Sequence, residues 1–275
     1  MRSKSFPGIK AAKEDLKQFF TDPTHWAYQY GSPSSCGPNS PYHTAALEVL
    51  FEGKYPHWVT NRAIRELKAE GFLQRKKVRL KSGSTVHFYL RSDIRYYKRE
   101  VSKRVKLIEA YSDPNLSRAQ GNFSELIFTL LLRALGFDIL GKHTCEYGGC
   151  VWTKTGHDFD LIVSKDDITY GIEIKNTLPY MEREEFEIKL KMCRYLGIKP
   201  MFILRNAPRA QYELIKREGG FIVSFKTWVF PPGYEPLVAK IWDLMRIPVN
   251  VWTVIPPKVE ERIIENHKRI LTYLH

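Results

Sequence analysis

The chain has 275 residues, enough for one large domain or two modest ones, and at 43% hydrophobic and 27% charged it has the composition of a folded globular protein rather than a disordered one. No apolar run approaches the ~20 residues that span a bilayer, since the longest, Leu126 to Leu135, is interrupted by Arg133. A formal charge of +13, from 43 Lys and Arg against 30 Asp and Glu, favours a polyanionic partner. Nucleic acid comes first, ahead of an anionic membrane surface or an assembly role.

The opening MRSKSFPGIKAAKED is basic but has no apolar core behind the charges, so a secretory signal is not expected and a cytoplasmic location is. Residues 1–39 read as an N-terminal extension with one short helix around Ile9 to Phe20, closing on the turn formers Gly31-Ser32-Pro33-Ser34-Ser35. Residues 40–95 are more regular. Thr44 to Phe51 has helical periodicity, with Gly53 as its stop. Thr60 or Asn61 caps a second helix, Arg62 to Glu70, which Gly71 ends. Two strands follow, Arg75 to Leu80 and Ser84 to Leu90, around a tight turn at Lys81-Ser82-Gly83.

The run RAIRELKAEGFLQRKKVRL, a helix, a glycine, an apolar pair and a basic strand, resembles a winged helix-turn-helix domain. That resemblance implies DNA contacts from Arg62, Arg65 and Lys68 on the recognition helix and from Arg75, Lys76, Lys77, Arg79 and Lys81 on the wing. Of its usual three helices, the middle one has only Tyr55 to Val59 to supply it.

Residues 96–115 read as a basic amphipathic linker helix, broken at Asp113-Pro114-Asn115. From 116 to 275 helices and strands alternate. The expected order is a helix (Ser117 to Leu135), three strands (Phe137 to Leu140, Phe159 to Val163, Thr169 to Lys175) and a helix (Arg183 to Leu196). A strand (Pro200 to Leu204), a helix (Arg209 to Glu218) and a strand (Phe221 to Phe225) follow, then helices at Leu237 to Met245 and Lys258 to Leu274. This is an α/β order with a mixed sheet. Of the four cysteines, only Cys145 and Cys150 lie close together; they read as free thiols at a hairpin tip, with a Cys/His zinc site including His143 left open.

Chemistry concentrates between His157 and Asn176. Alternation on a strand puts Gly171, Glu173 and Lys175 on one face and Ile172 and Ile174 on the other, while Asp158, Asp160 and Ile162 share a face of the preceding strand. If the two strands form a hairpin, Asp160 and Glu173 converge. Two carboxylates held close call for a hard divalent cation, which polarises a phosphate and activates water. An ammonium at Lys175 then stabilises charge in the transition state. A lone Glu-x-Lys occurs on many exposed strands, but charges set in an otherwise buried strand need a partner or a function.

The set resembles the PD-(D/E)XK nuclease superfamily, which includes restriction endonucleases, Holliday-junction resolvases and Mrr-like enzymes. Gly121-Asn122-Phe123-Ser124-Glu125-Leu126 matches its glutamate-bearing helix, and the helix and strand after Lys175 match its later elements. The resemblance covers about residues 117–225. It implies a restriction-endonuclease-like mixed sheet flanked by helices, and Mg2+ (or Mn2+) held by Asp160, Glu173 and Glu125 with Lys175 as the catalytic cation. DNA is the implied substrate and a homodimer the implied state. No proline precedes either aspartate, so Asp158 stays a second candidate ligand, although Asp160 abuts the apolar run Leu161-Ile162-Val163. His157 reads as an ordinary exposed histidine. The rival readings are a DNA-binding protein that uses such a fold as scaffold and a nuclease specific for transposon ends or junctions.

Overall fold

The computed structural model describes residues 7–29 and 34–274. It forms two compact units, one running to Ser117 and taking in Gly233–Asn250, the other holding Arg118–Pro232 and the chain from Val251 onward. Of the expected N-terminal extension, residues 1–6 and 30–33 lie outside the described residues.

The first unit contains helices α1 (Pro7–Phe19) and α2 (Trp26–Gln29), strand β1 (Tyr42–His43), helices α3 (Thr44–Phe51) and α4 (His57–Ala69), strands β2 (Leu73–Arg79) and β3 (Thr85–Arg91), and helix α5 (Lys98–Tyr111). The strands form an antiparallel sheet in the order β1-β3-β2. Ala12, Leu16 and Phe19 recur at helical spacing on α1 and pack with Leu47, Phe51, Ala63, Ile64 and Leu67. The segment read as an extension is therefore part of this unit's core.

Tyr55 to Val59 forms no helix of its own between α3 and α4, since α4 already begins at His57. Pro56 holds the N-cap position of α4, whereas Thr60 is buried inside it and Asn61 donates to Glu48 at 2.8 Å, so neither caps. His43 caps α3 instead, its ring nitrogen accepting from the Ala46 amide at 3.3 Å. Burial pushes the His43 pKa down to about 4, which keeps the ring neutral and able to accept.

Asp113 caps α6 (Pro114–Ala134) by accepting from the Asn115 amide at 2.8 Å, with Pro114 at the first helical position. The second unit continues with β4 (Asp138–Thr144), β5 (Glu146–Tyr147), β6 (Cys150–Val151), β7 (Phe159–Lys165) and β8 (Ile168–Lys175). Next come α7 (Arg183–Leu196), β9 (Lys199–Leu204), α8 (Arg209–Arg217), β10 (Phe221–Ser224) and β11 (Trp228–Phe230). After α9 (Glu235–Met245) the chain forms β12 (Val249–Val251) and α10 (Pro257–Leu274).

The central sheet has the order β10-β9-β8-β7-β4, antiparallel from β4 to β8 and parallel from β8 to β10. Phe128 and Leu132 of α6 and Val259 and Ile263 of α10 pack on one face, with Leu161, Val163, Ile172, Ile203 and Val223. Phe186, Leu190 and Cys193 of α7 and Ile215 of α8 pack on the other, with Ile162, Phe202 and Ile222. The α/β class with a mixed sheet is as expected.

Residues 116–275 are not one continuous unit, because α9 belongs to the first. There Asp243 accepts from the Ser35 amide at 2.6 Å, and Arg246 donates to the Ala27 and Tyr28 carbonyls at 3.1 and 2.9 Å. Cys145, just before β5, and Cys150, the first residue of β6, are free thiols; Gly148 and Gly149, both at positive φ (58° and 78°), make the two-residue turn between the strands.

Candidate active site

β7 and β8 are antiparallel from Lys165 opposite Ile168 to Leu161 opposite Ile172, and their regular pairing stops there. Asp160 stands just past that point. Its Oδ2 accepts from the Ile174 amide at 2.6 Å, supplying the acceptor that the ladder no longer provides. Burial pushes the Asp160 carboxyl up to about 7, the charge on Glu173 adds to this, the Ile174 amide opposes it, Glu125 adds again and Lys189 opposes.

Glu173 lies on β8 with only 2% of its surface exposed. Its Oε1 is 3.0 Å from the Lys175 ammonium and its Oε2 is 2.5 Å from that of Lys189. Lys175 also reaches Glu185 of α7 at 2.8 Å. Burial alone would lower the Lys175 pKa, but Glu173 and Glu185 outweigh it and hold the ammonium above its ordinary value. Glu125 projects from α6, with its Oε2 3.4 Å from the His143 imidazole of β4.

Glu173 and Glu125 stand near enough to Asp160 for their charges to raise its carboxyl, and Glu173 pairs with Lys175. Asp158 contributes differently: its side chain is exposed, and its main-chain carbonyl accepts from Lys189. His157 is half-exposed and bonded to Thr155 at 3.0 Å. Among the described residues no three His, Cys, Asp or Glu side chains already stand in metal-ligating geometry; both Glu173 oxygens face lysine ammoniums. The donor chemistry fits a hard divalent ion all the same, being all carboxylate. Burial and, after it, repulsion from Glu173 and Glu125 raise Asp160, and a bound cation would relieve both.

The sequence reading missed Lys189, Glu185 and His143. Lys189 did leave a signal. It falls between Phe186 and Leu190, Cys193 on the apolar stripe of α7, where a charge is out of place. In the sequence His143 stands out only beside the cysteines, yet the structure pairs it with Glu125.

Gly171 makes the site's floor possible. A Cβ there would lie 2.9 Å from the tip of the Phe159 ring, and the Lys189 ammonium sits 5.5 Å from the centroid of that ring.

In the first unit, the eight basic residues expected to touch DNA do not share one face. The register sets Arg75, Lys77 and Arg79 opposite Tyr89, His87 and Thr85, on one side of the hairpin. Lys76 lies on the other side, opposite Phe88, and with Val78 and Lys81 lines a groove shared with Tyr97, Lys98, Val101, Val105 and Lys106. The Lys81 ammonium stands 3.7 Å from Glu109. Partial burial lowers the His87 pKa and the charges on Arg75 and Lys77 lower it further, which marks the positive potential of the first side. On α4, Arg62 is tied to Glu66 at 2.9 Å, while Arg65 and Lys68 are exposed. No helix among the described residues is long and apolar enough to cross a membrane.

No protein-family model, no curated protein and no solved structure matches the chain.

Proposed function

We propose that this protein is a metal-dependent DNA endonuclease of the PD-(D/E)XK type, built on a restriction-endonuclease-like sheet and carrying a winged-helix DNA-binding unit. One observation carries the reading: Asp160 meets Glu173-x-Lys175 where β7 and β8 part, within reach of the charge on Glu125. Asp160, Glu173 and Glu125 would hold Mg2+ or Mn2+, which supplies Lewis acidity and an activated water. Lys175 keeps its ammonium protonated and places it beside the same carboxylate, ready to stabilise charge on the phosphate. Glu185 orients that ammonium from α7. Apart from the one-turn α2, the order helix, strand, helix, helix, two-stranded ribbon in α1, β1, α3, α4, β2 and β3 is like that of winged helices and supports DNA as the substrate. The homodimer is part of this proposal, since cutting both strands calls for two sites.

The test is cleavage of supercoiled plasmid and of branched DNA with Mg2+ or Mn2+, comparing wild type, Asp160→Ala and Lys175→Ala. Wild-type cleavage lost in both variants is the expected result, and linear product before nicked product marks a dimer. Preference for the branched substrate would select a junction-specific enzyme. DNA binding without cleavage under any metal would leave the rival reading, a nuclease-like scaffold that only binds.

A further inference from the structure

Lys189 is the strangest charge in the second unit. It is 3% exposed and lies on the stripe of α7 that otherwise carries Phe186, Leu190 and Cys193. A buried ammonium persists only when it is paired. Its pair is Glu173 Oε2 at 2.5 Å, and its second contact is the Asp158 carbonyl. The two lysines on Glu173 are not equivalent. The Lys175 side chain is 32% exposed and has Glu185 as an alternative carboxylate, so it can leave Glu173 without losing all its partners. The Lys189 side chain is 4% exposed and its other partner is a main-chain carbonyl, so it stays.

We propose that Lys189 is the positioning residue of this site: a fixed internal counterion that holds Glu173 in place without metal and sets how weakly or tightly a divalent cation binds. The inference rests on the metal-site reading above. A cation reaching Glu173 shares that carboxylate with a full positive charge a few ångströms away, and the repulsion lowers its affinity. Lys189 thus exchanges affinity for a site already assembled before metal arrives. Oε1, on the side of the lysine that can move, is then the oxygen left for the cation.

Mn2+ is the probe, titrated by calorimetry into wild type, Lys189→Met, Lys189→Arg and Asp160→Asn, with melting measured in EDTA and in Mn2+. Lys189→Met is expected to melt lower than wild type in EDTA, because the buried Oε2 of Glu173 loses its ion pair while only Oε1 keeps a lysine. It is expected to bind Mn2+ about tenfold tighter or more, and to regain more melting temperature from Mn2+ than wild type does. Lys189→Arg keeps the charge and stays close to wild type in both measurements. Adding Glu173→Gln to Lys189→Met removes the under-compensated carboxylate and restores metal-free melting. Unchanged Mn2+ affinity in Lys189→Met, or a melting deficit equal with and without Mn2+, overturns the inference and leaves Lys189 a packing residue. If Lys189→Met does not fold, the double variant decides, and its failure to recover also overturns the inference. Mn2+ binding lost in Asp160→Asn but indifferent to Lys189 removes this inference alone. No Mn2+ binding to wild type removes the metal-site reading and this inference with it.

Discussion

In the first unit the basic side chains of α4 and of the β2–β3 hairpin stand in solvent, and Arg65, Lys68, Arg75 and Lys77 pack against no core. In the second unit the decisive charges, Glu173 and Lys189, are almost wholly withdrawn from water. Exposed charges cost little to keep and act at a distance, additively and under salt screening. Buried ones are costly to desolvate and act only in fixed geometry, so each depends on its neighbours. Changes in the second unit should therefore be abrupt, and changes in the first graded.

The largest expected effect is on chemistry. Asp160→Asn and Lys175→Ala should each reduce cleavage by about a thousandfold or more, in a plasmid assay that leaves DNA affinity within a few-fold of wild type. Asp160→Asn should also raise stability at neutral pH. The folded carboxyl sits at about 7, above its ordinary 3.8, so the folded state binds the extra proton and loses stability as pH rises through that window. Denaturant melts should show the variant's advantage at pH 8 and little of it at pH 4. Equal pH dependence in both proteins would mean that neither burial nor the neighbouring carboxylates raise Asp160.

The next effect breaks the comparison from the other side, because the first unit also buries titratable groups, His43 among them. The His43 pKa falls from 6.5 to about 4 on burial. Its contribution is complete above pH 6.5 and is lost as pH falls toward 4, where the unfolded chain takes the proton and the folded one resists it. The loss is about 3 kcal/mol. His43→Asn, which keeps a capping side chain, should flatten the pH dependence of melting.

Gly171→Ala should cost about 1–3 kcal/mol by forcing the Phe159 ring off the sheet. Thermal melting measures it, and an unchanged melting temperature would mean that the ring moves freely. The smallest effects belong to the hairpin. Arg75→Ala and Lys77→Ala should each weaken DNA binding modestly and lower the slope of log affinity against log salt by about 0.9 per contact. Lys76→Ala and Lys81→Ala, on the other side of the hairpin, should change that slope less. Equal slopes would restore the single basic surface that alternation argues against.

Much of this architecture is legible in the residues themselves. Helical periodicity gives α3 and α7 to the residue, and strand alternation gives β7, β8 and β9 within two residues at either end. The Asp160, Glu173 and Lys175 set is legible for the same reason: charges interrupt runs that otherwise read as buried. Local pattern fails where partners are distant in sequence. Nothing in Pro7 to Phe19 says that it packs on α4, so a core helix reads as an extension.

The sequence by itself determines which segments become strands and helices, and which charges break their apolar faces, because those properties depend on neighbours a few residues away. Only the tertiary structure decides which of those charges meet. It sets Asp160 against the Ile174 amide, sends the Asp158 side chain outward, pairs Glu125 with His143 and closes Lys189 on Glu173. It also returns α9 to the first unit. Each of these depends on strand register and on the facing of a helix across the sheet, and both are fixed by packing between residues far apart in the chain.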